Sequence, residues 1–552
     1  MQSNDSQACL LLSPLQTKDV VSRKQFLEEL EKEFDDDLEK EKNRHLNGHN
    51  HNSVNNSNIC NTTSFYPVLL RLAHECPFHD VRLACEGILL KLENKGVRIP
   101  RRKVFGPSKF ISTKDCVSID TTDDEVHGCF VDAFLFNGRT SHIHQLLGYH
   151  IQYLSCFLQF ESLLMRCNGS LRIDWRYYIG IMGAARHQCD ILIQECEKMF
   201  LMMDGDPQWL NGVQNVPVKL QKLTKLSKIL AHQPWLLSEP VIKDLLVGPP
   251  AETWSVSELI HAIVILVHYQ TLSGFVFGCG ITPEIDSKNG HSQRSQSSGE
   301  CSSGTEVLTP TKLRAPSLDT KEQSDTTAGL FQKIQKIKRE ETDNSQEEEE
   351  SEKLRQFQEV ETKELDDESM EGDSFSIDSD YDRYIEDKNF HYEEFAKRKT
   401  KDIEVFRAQD YSWQQHCFAF INRLFPEMGT LLDDKFRCSF NLTYNTMGDS
   451  ITDVDTSKFR LATWNYIHLV YGIFHDDYVY YEVNKLLEKA YKSYIKKVAC
   501  FPERTTFLDY HDYYTDLLPS EKVHINLLVL ESRMQAILLY ASRSIMKYMN
   551  QC

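Results

Sequence analysis

Residues 258–272, ELIHAIVILVHYQTL, carry apolar side chains three and four residues apart, and so do residues 149–165, YHIQYLSCFLQFESLLM. This spacing indicates helices that bury one face, because one helical turn contains 3.6 residues. The pattern returns after about residue 400, in WNYIHLVYGIF at 464–474, EVNKLLEKAYKSYIKKV at 482–498 and HINLLVLESRMQAILLYASRSIMKYM at 524–549. Alternation typical of strands is scarce in both parts. The sequence therefore predicts an all-α protein.

Composition and charge narrow the class of protein. The 552 residues are 41% hydrophobic and 26% charged, which is typical of globular proteins and excludes a wholly disordered or fibrous chain. The net charge is -19, but residues 340–380 hold 18 acidic and 3 basic residues and account for most of it. The remainder is nearly neutral and offers no broad basic surface for phosphate backbones or anionic lipid. Nucleic acid and membranes are therefore not expected as partners.

Targeting and cysteine usage point to an intracellular protein. The most apolar stretch, residues 259–280, is interrupted by polar side chains and is predicted to be a buried core helix. The first residues lack the basic region of a secretory signal, so the chain is expected to stay inside the cell. The 16 cysteines form neither CxxC pairs nor Cys/His clusters at zinc spacing. We expect reduced thiols, no metal site and no cofactor.

Composition also divides the chain into four segments. Residues 1–70 are predicted to be a disordered tail with one charged helical stretch, and residues 71–280 to be a first helical domain. Residues 281–400, rich in Ser and Thr and then acidic, have the composition of a disordered linker, and residues 401–552 are predicted to be a second helical domain. Each helical segment is long enough for a core of its own. Two separate domains and two halves of one helical body both stay open.

The stretch WRYYIGIMGAARHQC at residues 175–189 combines glycines with a cysteine. Gly180 and Gly183 weaken a helix, so a close neighbour is expected on that face. A helical repeat continued through the stretch places Cys189 on one apolar stripe with Cys196. Burial favours the neutral thiol, whereas the nearby Arg186 or a helix N-terminus favours the thiolate. The residues alone do not decide between these two states.

Several long strings, all in one order along the chain, resemble the sestrin family. They cover roughly residues 95–285 and 405–549. The strings are VRIPRRKVFGPSKFI at 97–111, YIGIMGAARHQC at 178–189, GDPQWLNG at 205–212, LAHQPWL at 230–236, FGCGITPEI at 277–285, LTYNT at 442–446, VDTSKFR at 454–460, WNYIHLVYGIFHDDY at 464–478 and SEKVHINLLVLESRMQA at 520–536. The resemblance implies two helical subdomains similar to the alkyl-hydroperoxidase D fold, joined by a disordered acidic linker.

The resemblance also implies peroxide reduction at Cys189 through a sulfenic intermediate. In the family, a Tyr two residues and a His seven residues after the cysteine complete a proton relay. This chain has Ile191 and Cys196 at those positions. Because Ile cannot carry a proton, weak peroxide turnover is expected. A thiol-dependent alkyl hydroperoxide reductase in oxidative-stress defence and a scaffold that senses nothing are the alternative functions.

A free amino acid requires an acid for its ammonium group, a cation for its carboxylate and an apolar socket. By resemblance, Glu521 binds the ammonium of leucine and Arg460 its carboxylate. The resemblance implies further contacts from Thr443, Tyr444, Asn445, Thr446 and Thr456. The leucine-binding relatives have Leu and Trp where this chain has Phe459 and Tyr514, and the lid between Thr446 and Thr456 is one residue longer. A changed affinity or preferred amino acid is therefore expected.

Asp476 and Asp477 follow the aromatic stretch 464–474, whose helix Gly472 is predicted to end. By resemblance this pair contacts the GATOR complex, which governs the Rag GTPases and the target-of-rapamycin kinase. The resulting prediction is a leucine or similar amino-acid sensor in the cytoplasm, and also in the nucleus. It would act as a stress-responsive negative regulator of target-of-rapamycin signalling, with the GATOR complex as partner and the Rag GTPases as further candidates.

Overall fold

The computed structural model describes residues 11–46, 65–104, 106–292, 326–343, 350–363, 380–397, 404–443, 447–448 and 454–551. Within these ranges the protein is all-α, which confirms the predicted fold class. The helices of the first part are α1 Val20–Leu46, α2 Phe65–Glu75, α3 His79–Asn94, α4 Asp124–Asn137, α5 His142–Leu147, α6 Ile151–Met165, α7 Ile173–Ala185, α8 Asp190–Met202, α9 Val218–Gln221, α10 Leu223–His232, α11 Glu239–Leu246 and α12 Val256–Gly278.

The second part of the chain is also helical. Its helices are α13 Thr327–Asp343, α14 Glu350–Lys363, α15 Phe418–Leu424, α16 Met428–Asn441, α17 Ser457–Val470, α18 Tyr481–Leu486, α19 Lys489–Cys500, α20 Phe507–Asp512 and α21 Pro519–Gln551. Short 3-10 helices lie at Ser13–Leu15, Pro207–Asn211, Val213–Asn215, Pro234–Leu236, Asp382–Tyr384, Phe395–Lys397 and Pro502–Arg504, and a π-helical turn at Trp413–Cys417. Strand β1 Arg101–Arg102 pairs antiparallel with β2 His291–Ser292, and β3 Phe406–Arg407 pairs parallel with β4 Ile473–Phe474.

Helix α12 is the central element of the core. Its start is fixed by a capping box in which the Ser255 hydroxyl accepts from the Glu258 N–H and the Glu258 carboxylate accepts from the Ser255 N–H. It is long and apolar enough to cross a membrane by length and composition, yet its most apolar window is wholly buried inside the protein. A helix that is apolar all round needs such cover on every side. The predicted core helix is therefore confirmed.

The glycines of α7 allow that helix to approach α12 closely. A Cβ atom added at Gly183 would lie 3.0 Å from the Leu266 carbonyl oxygen and 3.1 Å from the Tyr269 Cβ. One added at Gly180 would lie 2.8 Å from the Tyr269 ring and 3.0 Å from the Cys196 Sγ. The close neighbour expected from the sequence is therefore confirmed, and it is α12.

The two helical halves share one hydrophobic core. Helix α21, near the C-terminus, packs against α12, and residues from Ile111 to Ile545 join a single buried cluster. Polar contacts cross the same junction: the Tyr494 hydroxyl donates to the Gly278 carbonyl at 2.9 Å, and the Arg533 guanidinium donates to the Gln270 carbonyl at 3.2 Å. Of the two arrangements left open by the sequence, the described residues form two halves of one body.

Parts of the predicted tail and linker have regular structure. Leu27, Leu30 and Phe34 form an apolar stripe on α1 and are buried with α2 and α3 in a separate small core. Within the predicted linker, α13 and α14 are helical and pack on the second half of the chain. Residues 1–10 and 47–64 of the tail and residues 293–325, 344–349, 364–379 and 398–400 of the linker lie outside the described residues, and the domain boundaries drawn from composition stay predictions.

The packing of α7 on α12 generates a stability prediction. Replacing Gly183 by Val forces a side chain against the Leu266 carbonyl and should lower the free energy of unfolding by about 1 to 3 kcal/mol. The matched control is Gly87→Val in α3, because an added Cβ at Gly87 meets no atom within 4 Å; its effect should stay within about 0.5 kcal/mol. Urea unfolding followed by circular dichroism measures both. Equal stabilities of the two variants would contradict the close approach.

Candidate functional site

Two helix starts bring the predicted cation and anion to one cavity. Helix α17 begins directly after Thr456 and carries Arg460 in its first turn, whereas α21 carries Glu521 in its first turn. Both charged side chains are less than 10% exposed. They line a cavity of about 40 Å³ whose wall consists of Leu330, Leu442, Thr443, Met447, Thr456, Phe459, Arg460, Leu517, Glu521, His524, Ile525 and Leu528.

The structure therefore locates some, but not all, of the residues predicted to contact the ligand. Thr443, Thr456, Arg460 and Glu521 line the same cavity. Tyr444, Asn445 and Thr446 lie outside the described residues. The structure brings together one anion, one cation and two hydroxyl side chains from three separate parts of the chain.

The guanidinium of Arg460 is held by its own helix and by α16. Its Nε donates to the Thr456 Oγ1 at 3.1 Å, and its Nη1 donates to the Phe440 carbonyl near the end of α16. These bonds fix the direction of the side chain at the cavity wall. A planar guanidinium so oriented can pair with both oxygens of a carboxylate.

The carboxylate of Glu521 receives two backbone N–H groups. Leu518, just before α21, donates to Oε2 at 2.7 Å, and Gly448 donates to Oε2 at 3.0 Å and to Oε1 at 3.2 Å. Gly448 has a φ of +64°, a left-handed conformation that favours glycine. A segment of the predicted lid thus donates to the carboxylate predicted to bind the ligand's ammonium.

The two residues predicted for the apolar socket differ in their positions. Phe459 lines the cavity and contacts the rings of Tyr491 and Tyr514, at centroid distances of 5.1 and 6.1 Å. Tyr514 does not line the cavity; it lies behind Phe459, and its hydroxyl donates to the Leu486 carbonyl at 3.2 Å. Phe459 therefore forms part of the cavity wall itself, whereas Tyr514 affects the wall only by packing against Phe459.

Seven lining residues were missed from the sequence, among them His524 and Leu330. His524 lies one turn after Glu521 on α21, and its Nε2 donates to the Ser439 carbonyl at 2.8 Å. Burial, helped by the nearby His150, lowers the pKa of His524 to about 3, so this imidazole is neutral. Leu330 comes from α13, in a segment assigned to a disordered linker. The spacing of His524 from Glu521 along one helix could have indicated that His524 lines the cavity, whereas nothing in the sequence indicated Leu330.

Asp476 and Asp477 lie beside a second, larger opening. Gly472, with a φ of +72°, follows the end of α17 as predicted, and β4 then leads to the two acids. They border a cleft of about 550 Å³ with aromatic walls from Trp413, Phe436, Phe440 and Trp464. Asp477 is exposed, whereas the Asp476 side chain is 15% exposed. Burial raises the pKa of Asp476, opposed by the charge of Arg407 at 3.9 Å.

Cys189 lies in a turn rather than within a helix. Helix α7 ends at Ala185, Gln188 takes a φ of +50°, and Cys189 precedes α8. The continuous helical stripe expected from the periodicity is therefore wrong at this point. Cys189 remains fully buried, and burial raises the pKa of its thiol to about 12 although hydrogen bonding by Leu192 and Ser273 lowers it to a smaller extent.

The residues at the two predicted relay positions, Ile191 and Cys196, form no proton relay with the Cys189 thiol. Ile191 is half-buried and apolar, and Cys196 is buried beside Tyr269 with its own pKa raised by burial. The Arg186 guanidinium donates to the carbonyls of Glu386 at 2.7 Å and Phe390 at 2.8 Å, not to the thiol. The neutral, inert state of Cys189 is thus the one that its surroundings favour.

A buried ionic cluster was also missed. Glu75, His142 and Glu284 approach so closely that their ligand atoms lie within 4.8 Å of one another, although the sequence predicted no metal site. The His142 Nδ1 donates to the Thr282 carbonyl at 2.9 Å, and Nε2 lies 3.0 Å from Glu75. The charges of Glu284 and Glu75 raise the pKa of His142 to about 10 against the effect of its burial. A protonated imidazole between two carboxylates fits this geometry.

Comparisons with known proteins agree with these motifs. The family profile described as PA26 p53-induced protein (sestrin) matches residues 106–549. Sestrin-1 of Xenopus laevis is 40% identical over 490 residues, which cover 87% of this chain and 100% of that protein. Sestrin-3 of Mus musculus is 41% identical over 480 residues, 84% of this chain and 96% of the relative.

The similarity extends to a third type of relative. Sestrin-2 of Homo sapiens is 40% identical over 453 residues, which cover 81% of this chain and 92% of that protein. The matched region contains the cavity between Arg460 and Glu521, the Asp476–Asp477 pair and the turn at Cys189. The family inferred from the sequence strings is thereby confirmed, and the chain belongs to the sestrin family.

Proposed function

We propose that this protein is an intracellular amino-acid sensor, with leucine as the expected ligand, and that it restrains target-of-rapamycin signalling by binding the GATOR complex. The observation that carries the proposal is the convergence of Arg460 and Glu521 on one largely apolar cavity. The cytoplasm, and also the nucleus, are the proposed locations, and the Rag GTPases are further candidate partners.

The chemistry of the cavity suits a zwitterion with an apolar side chain. Arg460 pairs with the carboxylate and Glu521 with the ammonium, and each charge leaves water only because its counter-charge is present. Leu442, Ile525 and Leu528 supply an apolar wall for the side chain. A ligand with a charged side chain would lose its hydration there without a partner, so leucine and similar amino acids are favoured.

One helix links the amino-acid cavity to the acidic cleft. Helix α17 has Arg460 in its first turn and leads through Gly472 and β4 to Asp476. An amino acid that moves this helix start therefore has a packed route to the surface proposed to bind the GATOR complex. By linkage, the partner must change the affinity for the amino acid by the same factor as the amino acid changes the affinity for the partner.

The alternative of a thiol peroxidase finds little support in the surroundings of Cys189. A peroxidatic cysteine acts as a thiolate and must be reached by peroxide, whereas this thiol is fully buried. Direct measurements of amino-acid binding distinguish the sensor from the other alternative, a scaffold that binds partners without a ligand.

The first prediction concerns leucine. Calorimetry on the full chain should detect leucine binding, and Glu521→Gln should weaken it about tenfold or more, because a charge-assisted hydrogen bond to the ammonium is lost. Asp512→Asn is the control: this exposed acid lies nearby and does not line the cavity. No heat with leucine, isoleucine, methionine or valine at millimolar excess would exclude the sensor and leave the scaffold.

The second prediction concerns the partner. Reversal of charge in the double variant Asp476→Lys, Asp477→Lys should abolish co-purification with the GATOR complex, because paired carboxylates at an interface rim govern encounter and specificity. Reversal at an exposed acid elsewhere, Asp244→Lys, should leave co-purification unchanged. Undiminished binding by the double variant would remove the acid pair from the interface.

The third prediction concerns thiol reactivity at pH 7.5. Hydrogen bonding to Cys438 lowers the pKa of the half-buried Cys156 thiol, whereas burial raises the pKa of Cys189 to about 12, so a larger fraction of Cys156 than of Cys189 is ionised. Iodoacetamide followed by peptide mass spectrometry should label Cys156 in the native protein and Cys189 only after unfolding. Rapid labelling of Cys189 in the native protein, or consumption of hydroperoxide that depends on Cys189, would support the alternative function of a thiol peroxidase.

A further inference from the structure

Helices α6 and α16 pack against each other where the two halves of the chain meet, and they run antiparallel. Toward one end of the pair, the Lys435 Nζ lies 4.0 Å from the centre of the Phe160 ring. Toward the other end, the His524 Nε2 donates to the Ser439 carbonyl at 2.8 Å, and the His524 ring lies 5.5 Å from the ring of His150. Residues one turn after Lys435 therefore face residues about one turn before Phe160.

Two cysteines occupy these facing positions. Cys156 lies four residues before Phe160 on α6, and Cys438 lies three residues after Lys435 on α16, so both are on the helix faces that meet. The two thiols form a hydrogen bond with each other. Both side chains are partly exposed, and both thiols are reduced. A pair of thiols, one from each half of the protein, is therefore in contact where a small solute can reach it.

A buried carboxylate holds the two helices in this arrangement. The Tyr153 hydroxyl donates to Glu531 of α21, and the Lys435 Nζ pairs with the same carboxylate at 3.0 Å. Tyr153 precedes Cys156 by three residues, and Lys435 precedes Cys438 by three residues, so each anchored side chain lies one turn from a thiol. The contact between the two thiols is thus fixed by the packing of three helices.

The two thiols differ in acidity. Their hydrogen bond lowers the pKa of Cys156 and raises the pKa of Cys438. At Cys156, burial and the charge of Asp434 oppose this effect, whereas the charge of Lys435 supports it. Cys156 is therefore the thiol that ionises first, and Cys438 keeps its proton and donates it to the hydrogen bond. A thiolate attacks peroxides, and a neighbouring thiol can then convert the product into a disulfide.

We propose that Cys156 and Cys438 are an oxidisable pair, which a hydroperoxide converts into a disulfide between the two halves of the protein. First, the Cys156 sulfur attacks the terminal peroxide oxygen and the O–O bond breaks. One oxygen stays on the sulfur as a sulfenic acid, and the other takes up the Cys156 proton and leaves as an alcohol. Next, the Cys438 sulfur attacks the sulfenic sulfur and the S–O bond breaks, and the departing oxygen takes the Cys438 proton and leaves as water. The two thiols together lose two electrons, which reduce the hydroperoxide.

This pair is separate from the cysteine that the family resemblance implies. Cys189 is fully buried in the turn before α8, whereas Cys156 and Cys438 are partly exposed on packed helices. The inference does not rest on the proposed amino-acid site. It has a consequence for the acidic cleft, because α16 also forms part of the cleft wall through Phe436 and Phe440. A covalent bond at Cys438 would hold that wall to α6.

Mass spectrometry of the full chain tests the pair directly. After treatment with tert-butyl hydroperoxide and blocking of the remaining thiols with iodoacetamide, digestion without reductant should yield the Cys156 peptide linked to the Cys438 peptide. In Cys438→Ser the linkage should be absent, and sulfenic acid at Cys156, trapped with dimedone, should increase about fivefold or more, because the first step does not need the second thiol. The control Cys167→Ser, which removes an exposed thiol, should link like the wild type. A wild type in which Cys156 stays reduced, or is oxidised without linkage to Cys438, would overturn the inference.

Urea unfolding provides the second arm, because it shows whether the native helix pair accepts the bond. The linked wild type should unfold at a urea concentration about 0.5 to 1 M higher than the reduced protein, since a cross-link between distant residues restricts the unfolded chain. Cys167→Ser should show the same rise after peroxide treatment, and Cys438→Ser should show none. An unchanged or lower midpoint for the linked wild type would show that the bond strains the native structure, and it would overturn the inference.

Discussion

Helix α12 has no polar face, and the arrangement of both halves of the chain follows from the need to cover it. On one side α7 approaches closely through Gly180 and Gly183. On the other, a Cβ atom at Gly274 would lie 2.9 Å from the Val498 carbonyl of α19, and one at Gly278 would collide with Asn526 of α21. Because neither half alone can surround this helix, burial of its apolar surface joins them into one core.

Buried charges at that junction fix the register of α21. Glu531 pairs with Lys435 at 3.0 Å and accepts a hydrogen bond from Tyr153, while Arg533 donates to the carbonyls of Gln270 and Ala231. A shift of the helix by one residue would leave these charges buried without partners, which is costly. Because Glu521 lies at the start of the same helix, the central junction also determines where its carboxylate lies in the cavity that Arg460 lines.

The sequence allowed prediction of those features that depend on local periodicity or on long matching strings. It predicted the core helix, the close approach at Gly183 and the charged pair of the cavity. It failed where contacts depend on distant parts of the chain. The helical repeat runs unbroken through Cys189, yet the chain turns there. Similarly, the acidic composition around α13 suggested disorder, whereas Leu330 and its neighbours on that helix are buried, and the helix packs on α18 of the second half.

The charged groups of the cavity have hydrogen-bond partners within the protein, and this sets the energetics of any ligand. Glu521 already accepts two backbone N–H groups and Arg460 already donates to Thr456 and Phe440. An arriving zwitterion would therefore exchange hydrogen bonds rather than add them, so its binding free energy is a difference between two satisfied states. The ligand's hydrogen bonds replace similar ones made by backbone groups, so only the ligand's side chain distinguishes the ligand from the groups that it displaces. The apolar wall then supplies the selectivity.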